Sequence, residues 1–413
     1  MRPRGTSLGT PHYAWVICGA CALMLFVSMG LNSNVFTIYQ PYIIALNGFT
    51  NTQGSLLITV RCLLSIAGMF TVDKVCRRLT LRGTVGMGIL LQVLSRLIFA
   101  AAHSFPAYCA ASALGGLAYS WAGTVPISLL IGHWFHARRG TAFGIGTTGS
   151  GFATVLMPPI ITKLVTEHSL AFTFFLEAAL TALVAVVILL LIRDRPEDLG
   201  IAPYGEGVGS ATVSEAGSSA GLTSIQWAAM LGAIVLLAGP AGPGFSHLTV
   251  HYTTAGYASG TVAWLMTYLG IALIVGKILC GHLTDRLGGW RSNFIIGGAL
   301  LAALTLCCLA PLRTMAFPFL SMTLFGVGLP MASVSLMVWA QDLGGDAGYD
   351  DAVKWFTLAY AIGTFLFSAL PGIIADCTGS YVPAYLLFIS FAAAALLLVQ
   401  MVYVRHGLHR GNG

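Results

Sequence analysis

The chain reads RDRPEDLGIAPYGEGVGSATVSEAGSSAGLTS at residues 193–224, and this is its longest polar stretch. Glycine, serine and acidic residues dominate it, which is the composition of a flexible linker. Apolar segments flank it on both sides, and cutting them at polar residues, glycine and proline leaves six before it and six after it. The stretch therefore predicts a helical bundle at residues 1–192, a linker at 193–224 and a second bundle at 225–413.

The composition identifies the solvent of these bundles. Of the 413 residues, 57% are hydrophobic and only 8% are charged, with a mean hydropathy of +0.84. A soluble domain carries about 25% charged residues, so this sequence cannot build a water-exposed surface. A spanning helix needs about 20 apolar residues, and twelve helices would use about 240. We predict an all-α membrane protein with twelve transmembrane helices in the lipid bilayer. A soluble enzyme, a nucleic-acid partner and a disordered chain are excluded.

The twelve predicted spans have soft edges. They cover roughly residues 13–45, 53–73, 83–102, 106–132, 139–163, 169–192, 225–250, 260–283, 292–311, 315–339, 353–374 and 382–404. The first apolar run follows Arg2 and Arg4 but is too long for a signal peptide, so we expect it to be retained as a helix. With both chain ends in the cytoplasm, 15 of the 20 lysine and arginine residues fall on the cytoplasmic side. This bias predicts a multi-pass membrane protein with both chain ends in the cytoplasm.

Two features recur at one offset. Asp73 and Asp285 each end a span before a basic residue, and their numbers differ by 212. Pro159 and Pro371 also differ by 212, and each lies late in a span. A shared offset predicts a duplicated six-helix unit, so the two bundles should be pseudo-symmetric around a site near the membrane midplane.

The segment GHLTDRLGGWR at residues 281–291 resembles the loop signature of the major facilitator superfamily. A first copy keeps Asp73, Lys74, Arg77 and Arg78 but has Cys76 where the family has glycine. The resemblance implies a breakable cytoplasmic gate. A carboxylate at a helix end would meet basic residues and a neighbouring helix N-terminus. The predicted gate residues are Asp73, Arg77, Asp285 and Arg286.

Within this superfamily, WFHARRGTAFGIGTTGSG at residues 134–151 resembles the entry to the fifth helix of monocarboxylate transporters and of oxalate–formate antiporters. The segment RDRPEDLG at 193–200 is similar to bacterial members of that group, which implies the bacterial inner membrane. The resemblance implies alternating access and a small organic carboxylate such as lactate as cargo, coupled to protons. The eleventh-helix lysine of oxalate carriers is absent, because Ile362 occupies its place.

Four charged side chains lie inside predicted spans: Arg61, Arg96, Glu177 and Lys277. Each costs about 2.5–3.5 kcal/mol at a helix centre, so each needs a partner, water or a function. Arg96 on the third helix and Glu177 on the sixth lie at similar depths in helices that pack together in this superfamily, which predicts an ion pair. The alternative is that Glu177 carries the coupled proton.

Arg61 and Lys277 point to an anionic cargo. When the repeat offset of 212 is subtracted from 277, the two residues lie four positions apart. Four positions are about one helical turn, so both side chains lie on the same helix face. With only Glu177 as a clear acid inside a span, the two cations favour a substrate whose negative charge balances them. The resemblance places Lys277 where related carriers use an arginine on the substrate carboxylate. Lysine is instead a compact charge that releases its proton more readily when desolvated.

Other candidates are polar or aromatic residues. The resemblance places Asn32 and Asn34 near a polar or cationic substrate contact of the family. Tyr119 matches a tyrosine in relatives and could donate a hydrogen bond to a carboxylate, and Tyr360 is a further cavity candidate. The alternative for each is a contact between helices. His247 is a candidate for proton coupling or for a helix-end contact, and Lys277 is the third proton-coupling candidate beside Glu177. We predict that Gly140, Gly144, Gly146, Gly149, Gly151, Gly326 and Gly328 line the interface on which the halves rock.

Several alternatives remain open. The carrier could exchange organic anions instead of using protons. A nitrate or nitrite carrier is less favoured because Arg61 lies one helical turn away from the position in the first half that is equivalent to Lys277. A membrane sensor that binds without transport is a further option. No nucleophile–base pair or metal-ligand cluster appears, so we predict no enzyme, no cofactor and no metal. The expected partners are a small organic anion, protons and lipid, and the protein is expected to be a monomer.

Overall fold

The computed structural model of the protein describes residues 12–135, 139–205 and 223–407. The side chains of Asp73, Asp285 and residues 139–141, 345–347, 349 and 350 are not described. Within these ranges the backbone is helical almost throughout, and the one β-bridge joins Phe135 to Tyr204. The all-α prediction is therefore confirmed.

Twelve long segments form the fold, and we number them in chain order. They are α1 Tyr13–Asn47, α2 Asn51–Met69, α3 Lys74–Ala101, α4 Phe105–Trp134, α5 Arg139–Glu167, α6 Leu170–Leu191, α7 Ser224–Gly244, α8 Ser259–Thr284, α9 Arg286–Cys307, α10 Ala316–Gly344, α11 Asp351–Thr378 and α12 Val382–Arg405. Eleven of these described segments are long and apolar enough to cross a bilayer. The twelfth is α5, a helix of 29 residues rich in glycine, serine and threonine. A short helix, Leu248–Thr254, continues α7.

Large apolar side chains cover the outside of the bundle. Ile278 is 71% exposed, and Leu183 and Trp264 are similarly open. A monomer in water rarely exposes apolar patches on this scale, but a bilayer solvates them. An even number of spans puts both ends of the described chain on one side, which we call the terminal face. The opposite side is the distal face.

The repeat is visible in the contacts. Thr37 of the first half and Thr249 of the second are separated by 212 residues, the offset found in the sequence. Their hydroxyl oxygens lie 3.3 Å apart. Residues at equivalent positions of two repeats touch when they lie near the pseudo-symmetry axis. The two six-helix bundles are thus packed face to face around this axis.

The start of the polar stretch is packed on the first half and does not behave as a flexible linker. Trp134 donates its indole N–H to the Arg193 carbonyl at 2.9 Å, and His133 lies 3.1 Å from the Asp194 carbonyl. The ring of Tyr204 packs at 5.6 Å from that of Phe135. The expectation of a linker that is flexible over its whole length is therefore wrong for residues 193–205.

The two copies of the loop signature break their helices at different places. In the second copy the left-handed residue is Gly288 (φ 75°, ψ 162°), three positions after Asp285. In the first copy it is Thr80 (φ 65°, ψ 170°), seven positions after Asp73, so the helix continues through Cys76. The first loop is thus about one helical turn later than the second. This backbone region is almost reserved for glycine, and a threonine there is strained.

We expect Thr80→Gly to raise the apparent melting temperature. Relief of about 1–3 kcal/mol of backbone strain exceeds the few tenths lost with the weak cap that the Thr80 hydroxyl makes to the Gly83 N–H at 3.3 Å. It also exceeds the cost of about 0.5–1 kcal/mol for a more flexible residue. The matched variant Gly288→Ala should lower the melting temperature. A lower melting temperature for Thr80→Gly would contradict the assignment of strain.

Most of the glycines predicted to line the rocking interface pack inside one half. A Cβ on Gly149 would collide with the Ala22 carbonyl of α1, and one on Gly326 would meet Ala272 of α8. Gly146 faces α1 and Gly328 faces Leu300 in the same way. Only Gly151 of this set faces the other half among the described contacts; a Cβ there would lie 2.9 Å from Ile274. The prediction is therefore wrong for Gly146, Gly149, Gly326 and Gly328, because small-residue spacing serves packing within a bundle equally well.

Candidate functional site

Four helices are irregular near the middle of the membrane, and they come in repeat-related pairs. The π-helical segments are Phe26–Asn34 in α1 and Pro240–Gly244 in α7; subtracting 212 from the second gives 28–32. Helix α4 is interrupted at Gly123, and α10 has a 3₁₀ turn at Leu329–Ala332. π-Helical segments frequently occur at functional sites, and discontinuous helices bind cargo in many transporters.

The irregular part of α1 exposes backbone carbonyls that receive arginine side chains. Arg61 of α2 donates from Nη1 to the Asn32 carbonyl at 2.6 Å. Arg96 of α3 donates from Nη2 to the Leu31 carbonyl at 3.2 Å. A regular α-helix uses such carbonyls for its own ladder. The local irregularity of α1 therefore allows two intramembrane cations to be held.

Arg96 and Glu177 form a buried ion pair, as the sequence predicted. The distance from Nε to Oε1 is 2.8 Å, and the side chains are 0% and 4% exposed. Arg96 also donates to the Asn32 side-chain oxygen at 3.2 Å, and its guanidinium lies 5.6 Å from the Phe99 ring centroid. The pair ties α3, α6 and α1 together within the first half. Its charges are mutually balanced and face no cargo.

Arg61 is buried but not neutralised. Its guanidinium carbon lies 4.9 Å from the centroid of the Phe36 ring, so a carbonyl and an aromatic face stabilise its charge. No carboxylate oxygen of the described residues lies within 4.0 Å of it. Among the described residues, the charge of Arg61 is therefore stabilised by a carbonyl and a ring and not by an acid.

Lys277 lies on the side of α8 that faces the other half. The lipid-facing stripe of α8 is Trp264, Ile271, Val275 and Ile278, which are 49–71% exposed. At about 3.6 residues per turn, Lys277 is on the opposite side of the helix from this stripe.

Two turns from Lys277 on the same face is Gly270, where a Cβ would lie 2.9 Å from Val155 of α5. One turn away is Ile274, which Gly151 of α5 approaches. Lys277 continues the row formed by Gly270 and Ile274 toward the terminal face, and it is half-buried there.

The ammonium of Lys277 has no partner among the described residues. The ion pairs present there join Arg96 to Glu177 and Lys163 to Glu167, and none involves Lys277. Hydrogen bonds within the described part of the chain likewise leave it out. A half-buried cation between the two halves, with no ion-pair partner in the part of the chain that the structure describes, is unusual inside a membrane.

The remaining predicted contacts divide into two groups. Asn32 is committed within the first half, because its amide donates to the Gly115 carbonyl at 2.8 Å while its oxygen accepts from Arg96. Asn34 bridges to α5 through the Thr154 hydroxyl at 3.0 Å and remains half-buried. Tyr119 contacts the Thr124 hydroxyl at 3.2 Å, across the break in α4. Tyr360 of the second half is an electrostatic neighbour of Tyr119 in the first half.

His247 joins the two halves. It is fully buried, with Nε2 at 2.8 Å from the Ser55 hydroxyl of α2 and Nδ1 at 2.9 Å from the Pro243 carbonyl. Both ring nitrogens are thus occupied in this arrangement.

The predicted cytoplasmic gate falls partly outside the described residues, because the side chains of Asp73 and Asp285 are not described. Arg77 and Arg286 are exposed at the terminal face. Their pairing with the two aspartates stays a prediction.

One set of contacts was missed in the sequence. We call it the distal gate; it consists of Asn51, Thr52, Ser55 and Thr59 of α2 with His247, Ser368, Asp376 and Tyr381 of the second half. Its signal was the spacing of Asn51, Ser55 and Thr59, four residues apart, which puts polar groups on one face of a membrane helix. Apart from the Thr37–Thr249 contact, every hydrogen bond between the halves in the described part of the chain belongs to this gate.

Known proteins resemble the chain over nearly its whole length. The sequence profile of the Major Facilitator Superfamily matches residues 21–368. Monocarboxylate transporter 12 of Mus musculus is 25% identical over 417 aligned residues, which cover 92% of this chain and 84% of that protein. A putative tartrate transporter of Agrobacterium vitis is 27% identical over 305 residues, covering 68% of this chain and 65% of that protein.

A solved structure shares the fold. The nucleoside transporter NupG superposes with a TM-score of 0.74, covering 95% of this chain and 99% of that chain at 12% identity. At this identity the similarity concerns the arrangement of helices. It agrees with a fold of two six-helix bundles.

Proposed function

Because the chain belongs to the Major Facilitator Superfamily, we propose that it is a secondary transporter that moves a small organic carboxylate by alternating access, coupled to protons. The mouse relative is named a monocarboxylate transporter and the Agrobacterium relative a putative tartrate transporter, and both names denote carboxylate cargo. These names support the substrate class and leave the individual carboxylate open.

The observation that carries this proposal is the position of Lys277. It faces the other half, away from lipid, and has no acidic partner among the described residues. An uncompensated charge at a helix centre costs about 2.5–3.5 kcal/mol, and an anionic substrate would offset this cost. Binding would also lower the desolvation penalty of closing the cleft, because a neutral pair is easier to bury than a lone cation.

The remaining residues receive roles from their placement. In this proposal the Lys277 ammonium binds the carboxylate, while the buried charge of Arg61 adds attraction from the first half. Tyr119, Tyr360 and the half-buried Asn34 offer polar groups around the cargo. Asn32 is left out because its side chain is fully used inside the first half.

Proton coupling rests on the chemistry of Lys277. A lysine releases its proton more readily when it is desolvated, so departure of the carboxylate would let the same group release a proton. The excess of lysine and arginine at the terminal face supports placing that face in the cytoplasm. Exchange of one organic anion for another is the alternative, and counterflow without a pH gradient separates the two.

A thermal-shift screen tests the substrate class. Purified protein is heated with the sodium salts of lactate, tartrate, oxalate and nitrate, with sodium chloride at equal ionic strength as the control. A ligand at 100 times its dissociation constant stabilises the folded state by about 2.7 kcal/mol, so a bound carboxylate should raise the melting temperature. A shift with nitrate alone would instead indicate a nitrate carrier. Absence of any shift would contradict an anionic cargo from this panel.

A further inference from the structure

The carboxylate of Asp376, near the end of α11, accepts hydrogen bonds from the first turn of α2. Its oxygens lie 3.0 Å from the Asn51 backbone nitrogen and 2.8 Å from the Asn51 side-chain nitrogen. They also lie 2.7 Å from the Thr52 backbone nitrogen and 2.5 Å from its hydroxyl. Asp376 belongs to the second half and α2 to the first. These contacts therefore cross from one bundle to the other.

Asp376 completes the N-terminus of α2. The first N–H groups of a helix have no partner within it and carry partial positive charge. Thr50 and Gln53 satisfy two of them in a capping box within α2: the Thr50 hydroxyl accepts from the Gln53 N–H and the Gln53 side chain accepts from the Thr50 N–H. The N–H groups of Asn51 and Thr52 are satisfied by Asp376. The helix is thus capped half by itself and half by the opposite bundle.

We propose that Asp376 is the latch of the distal gate: its contact with the N-terminus of α2 holds the distal face closed and breaks when the cleft opens there. The contact suits a reversible role because Asp376 is exposed, so water can replace each protein partner when it separates. The buried Arg96–Glu177 pair has no such replacement and stays within one bundle. The latch goes beyond the proposed cargo, since it acts whatever the substrate is.

The latch is joined by a close steric contact one turn earlier on α11. Gly372 has no room for a side chain, because a Cβ there would collide with the Ser55 hydroxyl and the Asn51 carbonyl of α2. The Tyr381 hydroxyl donates to the Asn51 side-chain oxygen at 2.9 Å, next to the latch. An added methyl at residue 372 should push the two halves apart at the distal face. Two different changes, loss of attraction and added bulk, are therefore expected to act in the same direction.

Cys62 is a native reporter of the distal gate. It is half-buried on α2 beside Arg61, and it is an electrostatic neighbour of Tyr119 in the first half and Tyr360 in the second. A membrane-impermeant maleimide added at the distal face should reach Cys62 only when that gate opens. Labelling in sealed vesicles is quantified for each cysteine by mass spectrometry. Reaction of the exposed Cys377 and protection of Cys76 establish that the distal face is outside.

We expect Asp376→Ala and Gly372→Ala each to increase Cys62 labelling from the distal face about threefold or more. Asp376→Ala loses a charge contact at a helix N-terminus, and Gly372→Ala adds bulk between the halves, so each shifts the population toward the open distal face. Glu167→Gln is the matched control, since it removes an exposed acid on the same face, and it should label like the wild type.

Unchanged Cys62 labelling in folded Asp376→Ala protein, with or without an increase in Gly372→Ala, would overturn the latch. Folding is checked by the melting temperature. The readout needs no substrate, so the latch and the proposed cargo fail independently.

Discussion

Uptake of the carboxylate that stabilises the protein is expected to fall about 30-fold or more in Lys277→Gln. The removal of one partner from a desolvated charge pair costs about 2–5 kcal/mol, and each 1.36 kcal/mol is a factor of ten. The glutamine keeps a polar side chain, one atom shorter than that of lysine, but leaves the carboxylate without a countercharge. Uptake is measured in proteoliposomes of equal protein content.

Two variants define the specificity of that result. Lys277→Arg should retain part of the uptake, because it keeps the charge but changes the geometry of the contact. Lys163→Gln removes an exposed lysine whose side chain is 71% accessible, and it should transport like the wild type. Wild-type uptake by folded Lys277→Gln protein would remove Lys277 from the binding mechanism.

Glu177→Leu is expected to destabilise the protein by about 3–5 kcal/mol, because it leaves Arg96 as an uncompensated buried charge. The apparent melting temperature should fall sharply, and the yield of folded protein with it. The double variant Arg96→Met/Glu177→Leu removes both charges and should recover most of the lost stability. Thermal unfolding of the wild type, Arg96→Met, Glu177→Leu and the double variant in the same detergent gives the coupling between the two sites.

The same double variant separates a structural pair from a proton carrier. If the pair only ties α1, α3 and α6 together, the double variant keeps uptake driven by a pH gradient. A stable double variant that has lost pH-driven uptake but retains counterflow would instead assign the coupled proton to Glu177.

The sequence was informative where one physical constraint dominates. The low charge content required lipid-facing helices, and the shared offset of 212 predicted the repeat that Thr37 and Thr249 now display in contact. The Arg96–Glu177 pair was predictable because two opposite charges at similar depths in adjacent helices have few other ways to be satisfied.

Other features depend on packing that no local pattern encodes. The Asn32 carbonyl, within the π-helical segment of α1, accepts from Arg61, and the Asn32 side chain bonds to Gly115 and Arg96. The first loop breaks at Thr80, a residue whose own conformational preference argues against that position. Glycine spacing could not distinguish Gly149, packed within one half, from Gly151, packed against the other.

Calorimetric titration of the most stabilising carboxylate into wild-type and Lys277→Gln protein, at one pH and salt concentration, tests the role of Lys277 most directly. Binding should be about 30-fold or more weaker in Lys277→Gln than in the wild type, as expected for loss of a desolvated charge partner, and it should be unchanged in Lys163→Gln. Equal dissociation constants for wild type and Lys277→Gln would show that the cargo is held elsewhere.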